Sequence, residues 1–199
     1  MRLIAAGLGA RRGGREVFTG LSFAVAGGEL MAVTGPNGAG KSTLLRVIAG
    51  LLAPVAGAVT LDPAPSDGIG TECHYVGHAD ALKPALTVAA NLKFWRSVLS
   101  GKGSIDEALD AVGIARLADL PVATLSAGQK RRAALARLLV APRRLWLLDE
   151  PTGALDTAAE AMLGRLLTKH LVAGGIAIAA THRPLPVTAA QRLALGAAG

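Results

Sequence analysis

Aromatic residues make up only 3% of this 199-residue chain: two Trp, one Tyr and three Phe. Surfaces that bind nucleic acid stack bases on such rings, so their scarcity argues against that class. Cysteine is scarcer still. Cys73 stands alone, which excludes an internal disulfide, fits a reducing compartment and reads as a small buried hydrophobe. No apolar run reaches the roughly 18 residues that mark a membrane span. The nearest, Val47 to Leu61, is broken by Gly50, Pro54 and Gly57. A signal peptide is not expected, because Arg11, Arg12 and Arg15 interrupt the apolar N-terminus. Acidic residues are also short, 14 against 21 Lys and Arg, for a net charge of +7. That balance permits a nucleotide, nucleic acid or anionic membrane partner and selects none of them.

What is present is a regular alternation of apolar segments. ELMAVTG (29–35) reads as a short buried strand ending in glycine, and STLLRVIAGLL (42–52) has helical spacing with Pro54 as its stop. Thr87 and Ser104 are placed to cap helices through about Leu99 and Val112. Ser126 opens a further helical pattern that must end near Pro142, and LWLLD (145–149) and IAIAAT (176–181) are apolar runs of strand length. Buried strands alternating with helices imply an α/β fold with a mainly parallel sheet covered on both faces. The middle, about 84–142, reads as a helical insertion between core segments of about 1–83 and 143–199.

Gly35 to Thr43 reads GPNGAGKST. It matches the phosphate-loop pattern G-x-x-x-x-G-K-[ST] and lies where that pattern must lie, between a strand and a helix. Gly35, Gly38 and Gly40 let the backbone curl, so that the N–H groups of a loop that also holds Pro36, Asn37 and Ala39 can face phosphate oxygens. The following helix N-terminus adds partial positive charge. Lys41 can reach the β- and γ-phosphates, and Ser42, followed by Thr43, offers a hydroxyl to Mg²⁺. These residues bind a nucleoside triphosphate. A second motif, LWLLDEP (145–151), ends a buried strand on two carboxylates. Asp149 is expected to hold Mg²⁺ directly or through water, and Glu150 to polarise the attacking water, a role typically worth about 10²- to 10⁴-fold.

TLSAGQKRRAALARLLV (124–140) narrows the class, because LSAGQ before a basic helix resembles the signature motif of ABC-type ATPases. TGALD (152–156) resembles their dimer-interface loop and Thr181-His182 their switch histidine. The resemblance spans Gly35 to His182. It implies a P-loop NTPase (RecA-like) core with an N-terminal antiparallel β region and an inserted helical subdomain. It also implies ATP and Mg²⁺ as ligands and a head-to-tail dimer of two copies. In that dimer Ser126, Ala127, Gly128, Gln129 and Asp156 meet the ATP held by the other copy, while His182 contacts the γ-phosphate beside the catalytic Glu150. Two departures stand out. Ala127 replaces the signature motif's first glycine, with little loss expected at a helix start. The usual adenine-stacking aromatic aligns with Arg12, whose guanidinium can also lie against a base; Phe18 is the alternative.

YVGHADALKPALTVAANLKFW (75–95), together with the motifs above, is similar to the ATP-binding subunits of bacterial cytochrome c maturation systems, the haem-exporter group. That resemblance implies a peripheral subunit on the cytoplasmic face of the inner membrane, docked on integral membrane subunits. It implies no direct haem contact and no nucleic acid. An ABC exporter subunit for another cargo and a soluble ABC ATPase acting on nucleic acid are the alternatives. Some seventeen residues follow His182, so the C-terminal regulatory domain of many importers is not expected. In the same stretch His78 stands where the family carries a glutamine that ligates Mg²⁺ and senses the γ-phosphate, so it is a further candidate ligand. His74, four residues earlier on an extended segment, shares no helix face with it, which removes the basis for a metal pair.

Overall fold

The structure, a computed structural model, describes residues 1–196. The last three residues, within the expected 143–199 core segment, lie outside the described part. The chain forms two compact units. Unit 1 comprises Met1–Gly77, Arg143–Pro151 and Leu167–Gly199; unit 2 comprises His78–Pro142 and Thr152–Leu166.

Unit 1 contains two sheets. β1 (Arg2–Arg12) and β2 (Arg15–Ala26) form an antiparallel hairpin, and β4 (Ala56–Asp62) pairs with the other edge of β1. The hairpin turns on Gly13 and Gly14, both at positive φ (56° and 79°). That is the conformation a two-residue turn needs to match strand twist. The second sheet holds five parallel strands in the order β5 (Cys73–Val76), β6 (Leu145–Asp149), β7 (Ile176–Ala180), β3 (Leu30–Thr34) and β8 (Gln191–Ala194). Every residue of β6 and β7 is buried, and so are Leu30 to Val33 of β3. This explains why those segments read as continuous apolar runs rather than as an alternation. Leu44, Leu45 and Ile48 of α1 (Lys41–Ile48) are fully buried in a core with Leu3 and Leu8 of the first sheet and Met31, Val33, Leu147 and Ile178 of the second. α1 is shorter than the 42–52 expected. Gly50 adopts φ 72°, and the amides of Gly50 and Leu51 turn back to the carbonyls of Val47 and Arg46 at 3.1 and 2.9 Å. This is a glycine-terminated C-cap that spends the orphan carbonyls of the last turn.

Unit 2 is built from α2 (Val88–Val98), α3 (Ile105–Ala111), α4 (Ala127–Val140) and the first part of α5 (Thr157–Val172). The capping residues read from the sequence act as such: Thr87, Ser104 and Ser126 accept from the amides three residues on. Two buried polar devices order this unit. Asn91, 0% exposed, accepts from the Lys83 amide at 2.7 Å and donates to the carbonyls of Lys83 and Thr87 at 3.1 and 3.0 Å, which fixes the loop ahead of α2. Arg131 pairs with Asp80 at 3.1 Å. Arg137 lies with its guanidinium carbon 4.6 Å from the centroid of the Trp95 ring. Burial pulls its pKa down to about 10, opposed by the Asp80 charge. Among the described residues, no helix is long and apolar enough to cross a membrane.

His170, given no role by the sequence, packs in unit 1. Its ring stacks on Trp146 with centroids 3.9 Å apart and planes 10° from parallel, and Nε2 lies 3.0 Å from the Ile176 carbonyl. The carbonyl can only accept, so Nε2 carries the proton. Burial lowers the pKa below the ordinary 6.5. As pH falls through that value the unfolded chain gains a proton that the folded chain refuses, so stability is lost on acidification. The thermal midpoint should therefore fall between pH 7 and 5.5. A His170→Phe variant, which keeps the stack and removes the titration, should show a smaller fall over the same range.

Candidate functional site

Strand pairing brings the unit 1 motifs to one edge. β7 lies between β3 and β6, with Ala180 opposite both Val33 and Asp149. All the strands run the same way, so the segments leaving β3, β6 and β7 emerge together: the glycine-rich loop, Asp149-Glu150 and Thr181-His182. Ligands of open α/β sheets bind outside such carboxyl ends. Two backbone bonds lock the exits. The Glu150 amide donates to the Ala180 carbonyl at 2.8 Å and the Thr181 amide to Val33 at 3.1 Å.

The loop from Gly35 to Gly40 needs its glycines for separate reasons. Gly35 has φ 136°, and a Cβ there would collide with the Leu195 carbonyl, whose own amide donates to Thr34 at 2.9 Å. Gly40, at φ 96°, is the N-cap of α1, and a Cβ would run into the Val17 side chain and approach Phe18 Cδ1 to 3.3 Å. Gly38 has φ 84° with nothing within 4 Å, so it needs glycine for its backbone alone. Pro36, Asn37 and Gly38 are exposed, while Ala39 and Ser42 are half-buried and Thr43 is buried. Lys41 is 7% exposed, and its Nζ donates to the carbonyls of Gly35 and Pro36 at 2.8 and 3.1 Å.

Asp149, 3% exposed, ends β6, and its Oδ2 accepts from the Tyr75 hydroxyl at 3.2 Å. The Ser42 hydroxyl and the Asp149 carboxylate offer only oxygen, the donor chemistry a hard divalent cation such as Mg²⁺ takes. Glu150 has φ 48°, an uncommon conformation for a residue with a side chain and one that clusters at functional sites. Its Oε1 lies 3.0 Å from His182 Nδ1. The carboxylate accepts, so Nδ1 carries the proton in this contact. His182 itself is largely exposed. A cavity of about 630 Å³ adjoins this edge, lined by Thr34, Gly35, Thr181, His182, Arg183 and Arg192.

The signature segment lies in unit 2. Ser126 and Gln129 form a reciprocal cap: Ser126 Oγ accepts from the Gln129 amide at 3.2 Å and Gln129 Oε1 from the Ser126 amide at 2.9 Å. The resemblance implies that the backbone amide of Gln129 faces a γ-phosphate held by the other copy. Here its amide serves the cap, so the first-turn amides left without an intrahelical acceptor are those of Ala127 and Gly128. Gly128 is held close to the next motif, since a Cβ there would stand 3.0 Å from the Ala154 carbonyl. Ala154 has φ 61°. Asp156 accepts from the Ala159 amide at 2.7 Å, capping α5, and pairs with Arg132 of α4 at 3.0 Å. Ser126, Gly128, Gln129, Arg132 and Asp156 line a cavity of about 710 Å³.

His78 is exposed on the loop that opens unit 2, whereas His74 is 3% exposed within β5 of unit 1. Among the described residues, no three His, Cys, Asp or Glu side chains come together as a metal cluster. Arg12 sits at the exposed hairpin turn, while Val17 and Phe18 on the partner strand are the side chains beside Gly40. Sequence reasoning missed Tyr75 and Val17. No local motif marks them, and only strand pairing and packing bring them to the site.

Comparisons with known proteins identify one family. The family model described as "ABC transporter" matches residues 18–153. A relative from Rhodopseudomonas palustris (strain BisB5), named cytochrome c biogenesis ATP-binding export protein CcmA, is 54% identical over 200 residues, covering 100% of both chains. A CcmA from Mesorhizobium japonicum is 51% identical over 203 residues, again covering both chains completely. Among solved structures, a putative ABC transporter ATP-binding protein from Pyrococcus furiosus superposes with a TM-score of 0.86 at 24% identity, over 98% of each chain, and so shares the fold. The ABC transporter match includes the glycine-rich loop. Gly40→Ala should weaken ATP binding at least tenfold by titration calorimetry, and adding Val17→Ala should restore part of that loss.

Proposed function

The chain belongs to the ABC transporter ATP-binding family and, through its full-length relatives, to the CcmA group. From that premise we propose that it binds and hydrolyses ATP as the nucleotide-binding subunit of a cytochrome c biogenesis transporter. The observation that carries the reading is the convergence of Lys41, Asp149, Glu150 and His182 on one sheet edge, with Glu150 and His182 already 3.0 Å apart.

In this reading the amides of Pro36 to Thr43 hold the β- and γ-phosphates, and Lys41 turns from the Gly35 and Pro36 carbonyls to the phosphate oxygens. Phe18, with Val17, or Arg12 from the hairpin turn meets the adenosine side. Ser42 and Asp149 would hold Mg²⁺, which would supply positive charge against the phosphates when bound. Glu150 takes a proton from a water whose oxygen attacks the γ-phosphorus. The bond from phosphorus to the β,γ-bridging oxygen breaks, leaving ADP and inorganic phosphate. His182, with Nδ1–H held by Glu150, presents Nε2 toward the reacting group and fixes the orientation of the carboxylate.

Ser126, Ala127, Gly128 and Gln129 serve the nucleotide of a second copy, closing it from the far side in a symmetric contact. The α4 helix N-terminus supplies partial positive charge there. Asp156, fixed by Arg132 and by its cap to α5, shapes the same face. Hydrolysis removes the γ-phosphate contacts across that interface and lets the copies part, which is how a ligand drives a two-state element. The membrane partners are integral subunits, and the chain sits peripherally on the cytoplasmic face of the inner membrane. It needs no contact with haem or nucleic acid.

Glu150→Gln should slow ATP turnover by at least about 10²-fold while ATP affinity is kept, so that an ATP-bound dimer accumulates in size-exclusion chromatography. Near-normal turnover would remove Glu150 from the base role. Lys41→Ala should instead lose ATP affinity. Deleting the gene should abolish covalent haem attachment to c-type cytochromes, read by haem staining; intact cytochromes would point to another cargo.

A further inference from the structure

The Asp149 carboxylate is not left to orient itself. The Tyr75 hydroxyl donates to Asp149 Oδ2 at 3.2 Å and accepts from Arg46 Nε at 3.4 Å. All three residues belong to unit 1, on three different elements: Tyr75 on β5, Asp149 on β6 and Arg46 on α1. β5 and β6 are adjacent, but Tyr75 pairs in register with Leu147, two residues before Asp149. The long tyrosine side chain therefore spans from one strand to the carboxyl end of the next. Room for the ring is made by Gly77, where a Cβ would stand 3.0 Å from Tyr75 Cε1 and 3.2 Å from its hydroxyl. Gly77 is also the residue that leads into the loop bearing His78.

We propose that Tyr75 is a positioning residue for the Mg²⁺ carboxylate: its hydroxyl, held by Arg46, fixes Asp149 so that the other carboxylate oxygen faces the cation. The inference rests on the reading of Asp149 as the metal carboxylate. An ionised carboxylate only accepts, so a phenol that keeps its proton is the right partner for Oδ2. Arg46 turns the phenol oxygen's lone pair to use and aims the O–H at Asp149. Metal-ligating carboxylates held by such outer partners typically lose about 10- to 100-fold in metal affinity when the partner is removed.

The test is ATP binding to the full chain by titration calorimetry, once in EDTA and once in excess Mg²⁺, for the wild type and Tyr75→Phe. The phenylalanine keeps the ring and removes only the hydroxyl. The ratio of the two affinities is the Mg²⁺ gain. Tyr75→Phe should lower that gain about tenfold, leaving the affinity in EDTA and the thermal midpoint unchanged. Arg46→Leu, at an exposed position, should lower the gain in the wild-type background and have no further effect in Tyr75→Phe. An unchanged gain in Tyr75→Phe, an equal loss in EDTA, or additive effects of the two substitutions would each overturn the proposal. A wild type that fails to bind ATP, or binds it equally with and without Mg²⁺, would overturn the underlying reading of the site instead.

Discussion

Ala180 has Val33 on one side and Asp149 on the other, in parallel register with both. Its carbonyl takes the Glu150 amide, and the next amide, that of Thr181, goes to Val33. Everything chemical in unit 1 depends on that alignment. A slip of one residue in β7 would turn its side chains to the opposite faces of the sheet and carry His182 away from Glu150. Continuous burial of IAIAA and LWLLD is what makes such a slip costly, because small and branched apolar residues fill both faces. The apolar character of the strands and the precision of the polar edge are thus one property seen at two places.

The glycine-rich loop shows a similar division of labour. Gly35 is constrained by Leu195, just past the last strand, Gly40 by the N-terminal hairpin, and Gly38 by its own backbone alone. Three parts of the sequence therefore set the shape of six residues. Unit 2 relies on helix caps and a few buried polar groups instead. Asn91 and the Arg131–Asp80 pair are internal fasteners, worth more as specifiers of one arrangement than as net stabilisation.

Much of this was legible in the sequence where local chemistry and contiguous spacing carry the information. GPNGAGKST, LLDEP and LSAGQ each place their functional groups by short-range backbone geometry, and Thr87, Ser104 and Ser126 cap the helices that follow them. The parallel sheet was legible because buried parallel strands leave an unbroken apolar record. What was not legible depends on pairing and packing. β8 alternates half-buried and exposed residues over four positions, too short a record to read. The end of α1 was overrun because the apolar pattern continues through Leu52, although Gly50 had already turned the chain. Tyr75 reaches Asp149 only because two strands distant in sequence lie side by side. The Gln129 amide is spent on a reciprocal cap that requires two side chains to choose each other.

Lys41 has a consequence for selectivity that lies in the exchange it must make. Its ammonium is already satisfied by two neutral carbonyls of its own loop, at 2.8 and 3.1 Å. A ligand displaces those contacts profitably only if it offers a stronger, charged acceptor at the same reach. A nucleoside or monophosphate asks the lysine to leave good partners for none, whereas a triphosphate gives it anionic oxygens. On the proposed reading of this loop, ligands would be graded by phosphate number before the base is read at all.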